Sequence, residues 1–118
     1  IGSQAYNLTG YSNLSIGNRS LNLNETLNVN IAIDENSLFN LINGNDNISI
    51  GYNCTKNAQN ITNTINLGNN VNGNGSNTAT IGNTGITKVY MNDNGDGEIY
   101  ANGTINTSDK NLKKYCSN

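Results

Sequence analysis

This chain of 118 residues has no histidine, no proline and no tryptophan, and it carries one phenylalanine, one methionine and two cysteines. Each shortage removes a class of chemistry. Without histidine there is no imidazole base, no Ser-His-Asp triad and no histidine metal ligand. Cys54 and Cys116 are too few for a disulfide framework and leave the redox compartment open. Charged residues make up 12% of the chain, against a usual share of about 25%. The scattered acids and few basic residues give no nucleic-acid footprint. The longest apolar cluster, LFNLI at 38–42, is broken by Asn40 and falls far short of the ~20 residues a membrane span needs. No signal peptide is visible, and a first residue that is Ile rather than Met reads as a piece of a longer protein.

Hydrophobic side chains are also scarce. Leu, Ile, Val and Phe together make roughly a fifth of the chain, near the level at which disorder becomes the default. A thick globular core is excluded, because little apolar surface is available to offset about 1–2 kcal/mol of backbone entropy per ordered residue. Yet the net charge is only -2, so the high charge typical of disorder is missing as well.

What the chain has in excess is asparagine, roughly a quarter of the whole, and a recurring phrase. The phrase stands at Ile1-Gly2, Ile16-Gly17, Ile33-Asp34, Ile50-Gly51, Leu67-Gly68 and Ile81-Gly82. Its near-constant interval marks a repeat architecture. Apolar pairs lead into five of the copies: Leu14/Ile16, Ile31/Ile33, Ile48/Ile50, Ile65/Leu67 and Ala79/Ile81. Between the members of each pair stand Ser15, Ala32, Ser49, Asn66 and Thr80. Period-two alternation predicts short strands whose apolar pairs form the buried face. The glycine that follows predicts a corner at positive φ, which Asp34 also tolerates.

Three positions past the corner a small residue recurs, as Ala5, Ser20, Ser37 and Cys54, which predicts a tight inward site and favours Cys54 as a buried free thiol over a disulfide with Cys116. Each repeat then reads as two short strands and two turns, one coil of a β-solenoid or β-roll. Asparagine suits the turns and can stack in ladders. The absence of proline fits coils that pair along both edges. One coil buries only about two to four apolar side chains, so closed association, taken as a homotrimer, is expected to supply the missing burial.

The phrases IGSQAYNLTGYSNLSIGNRSL and NISIGYNCTKN resemble the head repeats of trimeric autotransporter adhesins and related viral fibre proteins. The resemblance covers residues 1–85 and implies an all-β trimer of left-handed rolls, although the longer spacing and Asp34 depart from the adhesin consensus. The tail GTINTSDKNLKK, 103–114, resembles the junction at which phage and viral fibres meet a self-cleaving intramolecular chaperone of the endosialidase type. That junction reads Ser-Asp-x-x-Leu-Lys, matched by Ser108, Asp109, Leu112 and Lys113. By resemblance, Ser108 would be the nucleophile of self-cleavage and Lys113 its dyad partner, in a longer precursor carrying the chaperone domain. The chain as it stands is expected not to be an enzyme.

Three regions follow: a β-roll over 1–85, a β-hairpin neck over 86–107, and a junction tail over 108–118. NDNGDGE at 92–98 reads as the neck's hairpin turn, with a weak calcium loop of Asn92, Asn94 and Asp96 as the alternative. No other cofactor is expected. Ten Asn-x-Ser/Thr sequons, Asn13, Asn47 and Asn60 among them, read mostly as by-products of the repeat. The resulting expectation is a structural and adhesive segment of a homotrimeric viral fibre on the virion surface, serving host attachment through a cell-surface receptor or glycan, with neither nucleic-acid binding nor membrane insertion. The rivals are a cell-surface trimeric adhesin and an ice-binding or other single-chain solenoid.

Overall fold

The computed structural model describes residues 1–2, 10–22 and 26–106. The repeat phrases become strands: β1 (Leu14–Ile16), β2 (Thr26–Asn28), β3 (Ile31–Ile33), β4 (Asn43–Asn45), β5 (Asn47–Ile50), β6 (Thr64–Leu67) and β7 (Thr78–Ile81). β1, β3, β5, β6 and β7 stack in that order into one parallel sheet, while β2 and β4 pair in a second. The register places Leu14 beside Ile31, Ile31 beside Ile48, Ile48 beside Ile65 and Ile65 beside Ala79. Successive strands of one parallel sheet at a near-constant sequence interval define a parallel β-solenoid. It has about four turns of ~17-residue coils, and no helix occurs among the described residues.

The corners behave as their residue types require. Gly51 has φ +132°, and a Cβ built there would stand 2.3 Å from the Gly68 carbonyl oxygen of the next coil. Only glycine combines that φ with that approach at no steric cost. Asp34 holds the same corner at φ 92°, with its Oδ1 accepting the Glu35 N–H at 2.7 Å. Each coil also turns through left-handed positions that the sequence reading did not anticipate. Arg19, Asn36, Asn53 and Asn70 form one such column, and Leu21, Leu38 and Thr55 another. Asparagine visits this region more readily than most residues, and Asn36, Asn53, Asn63, Asn70 and Asn77 all occupy it.

The interior differs from expectation in one decisive respect. The apolar pairs were expected inside, but the residues between them are the ones buried. Ala32 and Ser49 are fully buried and Asn66 is 1% exposed. Leu14, Ile50, Ile65 and Ile81, by contrast, face outward at 44%, 39%, 42% and 56% exposure. The reason is space. Leu21, Leu27, Leu38 and Leu41, with Ile61 packed against them, enter the coil from its other walls and fill it. The strand facing them has room for Ser or Ala, not for a rank of isoleucines. The expected small inward column holds at Ser20, Ser37 and Cys54, all fully buried, while Ala5 lies outside the described residues.

The chain divides into two units, Ile1–Thr87 and Lys88–Asn118. In the second, the expected turn forms, with the Gly95 N–H donating to the Asn92 carbonyl at 3.3 Å. No strand flanks it among the described residues, and 88–106 are exposed throughout. A lone two-stranded hairpin is marginal in water, and no described residue of this unit buries one face of it.

Candidate interaction surface

The outward face of the five-stranded sheet is the most distinctive surface of the solenoid. Its first rank is Leu14, Ile31, Ile48, Ile65 and Ala79, and its second is Ile16, Ile33, Ile50, Leu67 and Ile81. Ile1 continues the second rank: its carbonyl accepts the Gly17 N–H at 2.7 Å, as Ile16's accepts that of Asp34. At about 4.8 Å per strand the ranks run for roughly 19 Å along the solenoid axis. None of these side chains is fully buried.

Hydrogen-bonded ladders behind and beside this face hold it in register. The innermost one is asparagine. Asn30 N–H donates to Asn13 Oδ1 at 2.9 Å, and Asn47 N–H donates to Asn30 Oδ1 at 3.0 Å. Each side-chain Nδ2 crosses the coil to a carbonyl: Asn13 to Leu27 at 2.6 Å, Asn30 to Gly44 at 3.0 Å and Asn47 to Ile61 at 2.9 Å. Thr64 closes the ladder through Oγ1 to Asn47 Oδ1 at 2.8 Å. A second ladder runs at the surface, from Asn36 Nδ2 to Asn53 Oδ1 at 2.9 Å and from Asn53 Nδ2 to Asn70 Oδ1 at 3.1 Å. The stacking expected from the asparagine content is therefore present in several columns, with further rungs from Asn43 Nδ2 to Asn60 Oδ1 at 3.3 Å and from Asn63 Nδ2 to Asn77 Oδ1 at 2.9 Å.

The last coil is shorter than the others, pairing Thr64 with Thr78, and its filling thins. Val71 is its buried apolar residue, and a cavity of about 320 Å³ opens beside Val71, Gly73, Thr80 and Gly82. Beneath Gly73 lies Asn66, whose Oδ1 is buried with no hydrogen-bond partner.

The residues singled out from sequence fall as follows. Ser108 and Lys113 lie outside the described residues, as does Cys116. Asn94 and Asp96 do meet: Asn94 Nδ2 donates to Asp96 Oδ2 at 2.6 Å, and the Asp96 N–H donates to Asn94 Oδ1 at 3.1 Å. Asn92 contributes its carbonyl to the turn. Among the described residues no group of three or more Cys, Asp or Glu is placed to hold a metal ion. Cys54 is a buried free thiol whose Sγ lies 3.3 Å from the Asn66 carbonyl oxygen. Of the sequons, Asn47 is fully buried with its Nδ2 engaged, whereas Asn60 is exposed.

The outward ranks were readable as ranks, but their direction was missed. The signal was available. The rule that a small residue at a fixed place marks a tight interior, applied to Ser20, Ser37 and Cys54, holds equally for Ser15, Ala32 and Ser49.

No protein-family model, characterised protein or solved structure matches this chain. Among the described residues no helix is long and apolar enough to cross a membrane.

Proposed function

We propose that this chain is a structural and adhesive segment of a homotrimeric viral fibre, in which three solenoids turn their Ile/Leu faces toward a common axis. The observation that carries this reading is the outward apolar face. Covering a half-exposed Ile or Leu gains about 1–2 kcal/mol and a less exposed one under about 1 kcal/mol. The five exposed side chains (Ile1, Leu14, Ile50, Ile65 and Ile81) and the five less exposed ones together supply on the order of 10 kcal/mol per chain. That is comparable with the roughly 4–15 kcal/mol that association costs, so a face of this extent is the kind that can hold copies together. Exposed contiguous patches on monomers are rarely larger than a few hundred Å² and usually mark an interface.

The rod would serve to hold a receptor- or glycan-binding surface away from a virion, and a cell-surface trimeric adhesin is the same architecture on another carrier. In a longer precursor, Ser108 and Lys113 would mark self-cleavage before a chaperone domain. The ice-binding alternative loses its footing in the outward ranks, which contain no threonine. The residues considered for that role between the apolar pairs turn inward.

The test is the solution mass by light scattering, with serial dilution. A mass three times that of the chain, unchanged on dilution, is the expected result. A well-folded monomer would overturn the fibre reading in favour of a single-chain binding solenoid.

A further inference from the structure

Five Asn-Gly pairs occur: Asn43-Gly44, Asn72-Gly73, Asn74-Gly75, Asn94-Gly95 and Asn102-Gly103. An Asn followed by Gly is chemically labile, because no Cβ obstructs the following backbone nitrogen as it closes onto the side-chain carbon. The structure sorts these pairs by the freedom of the glycine nitrogen that must attack and by what stands at the carboxamide.

Asn43 is fastened. Its Oδ1 accepts the Thr26 hydroxyl at 3.0 Å and its Nδ2 donates to Asn60 Oδ1 at 3.3 Å. Gly44 sits in β4 so close to the next coil that a Cβ there would stand 2.0 Å from the Ile61 carbonyl oxygen. Its nitrogen has no room to swing. Asn94 is the opposite case. It lies in an exposed turn, and the Gly95 N–H is held only by a long 3.3 Å bond to the Asn92 carbonyl. Its carboxamide is gripped at both ends by Asp96: the backbone N–H at Oδ1 draws electron density from Cγ, and the carboxylate at Nδ2 stands where the departing amine needs a proton relay.

We infer that Asn94 is a site of spontaneous, irreversible deamidation, with Asp96 as its positioning residue. Gly95 nitrogen passes its proton through water to the Asp96 carboxylate and attacks Asn94 Cγ, forming an N–Cγ bond. The Cγ–Nδ2 bond breaks as Asp96 hands that proton to the amine, which leaves as ammonia. Water then opens the succinimide ring, at the Cγ–N bond to give aspartate or at the backbone C–N bond to give isoaspartate. No oxidant or reductant takes part. The product adds a carboxylate to a loop that already holds Asp93, Asp96 and Glu98, so the turn's charge dates the molecule.

The experiment is incubation of the full chain at neutral pH and body temperature, with peptide mass mapping and isoaspartate detection over time. Asn94 is expected to convert ahead of Asn72, Asn74 and Asn102. It should also convert at least about tenfold faster than Asn43, since each ~1.4 kcal/mol of local opening that Asn43 requires is a factor of ten. In Asp96→Ala the Asn94 rate should fall to that of the other exposed pairs, and Asn94→Gln should abolish the mass change there. An Asn94 that stays an amide, or converts no faster than Asn72, Asn74 and Asn102, or is indifferent to Asp96→Ala, would overturn the inference.

Discussion

The backbone N–H of Asn47 donates to the side-chain oxygen of Asn30 one coil earlier, at 3.0 Å, while Asn30's own amide nitrogen donates to the Gly44 carbonyl at 3.0 Å. Asn30 thus serves as an internal rivet, tying a strand of one sheet to the opposite wall and to the coil above. Because both residues are fully buried, every one of these groups is removed from competing water.

The consequence is a stability cost out of proportion to one side chain. Asn30→Leu keeps the branched outline, with more bulk, but strands the Asn47 N–H and the Gly44 carbonyl, each worth about 1–3 kcal/mol when buried without a partner. A total loss of about 2–5 kcal/mol is expected in urea unfolding. Asn60→Ala, at an exposed rung, should stay within about 0.5 kcal/mol of the parent. Equal costs at the two positions would mean that the inner ladder does not fasten the coils.

The two faces of β5 should respond oppositely to the same change. Lysine at Ile48 or Ile50 points outward, so Ile50→Lys should leave the strand spectrum by circular dichroism intact while lowering the solution mass. Ser49→Lys places an ammonium in the filled interior, where an unpaired charge cannot be accommodated, and should unfold the repeat. If both variants fold alike, the assignment of inside and outside is wrong.

The corners give a third test. Gly51→Ala carries the left-handed penalty of about 1–2 kcal/mol and a Cβ overlapping the Gly68 backbone, so a loss of at least about 2 kcal/mol is expected. Asp34→Gly relieves the penalty at φ 92° but frees the unfolded chain and gives up the Asp34–Glu35 hydrogen bond. It should remain within about 1 kcal/mol of the parent. Thermal melts of the two variants side by side decide it.

Much of this architecture was written in spacing. Strands alternate side chains and corners need particular backbone angles, so a phrase returning once per coil located the coils themselves. It located the Gly corners, the Asp34 exception and the small column of Ser20, Ser37 and Cys54 as well. Asparagine content likewise foretold ladders, because identical carboxamides one coil apart lie within hydrogen-bonding reach. The left-handed turns at Leu21 and Leu38 were not legible, since leucine has no preference for them. Those residues adopt them because their side chains fill the coil, a gain that only the closed coil supplies.

The direction of the sheet was likewise a tertiary decision. Alternation says that Ile31 and Ile33 share one face and Ala32 takes the other, but not which face closes on itself. Four leucines arriving from the other walls occupy the interior first, and volume then admits only Ala32 and Ser49 opposite them. By itself the sequence determined the period, the corners and the two faces. The closed coil decided which face was left for water or for another molecule, because the space inside one coil is finite and was already filled.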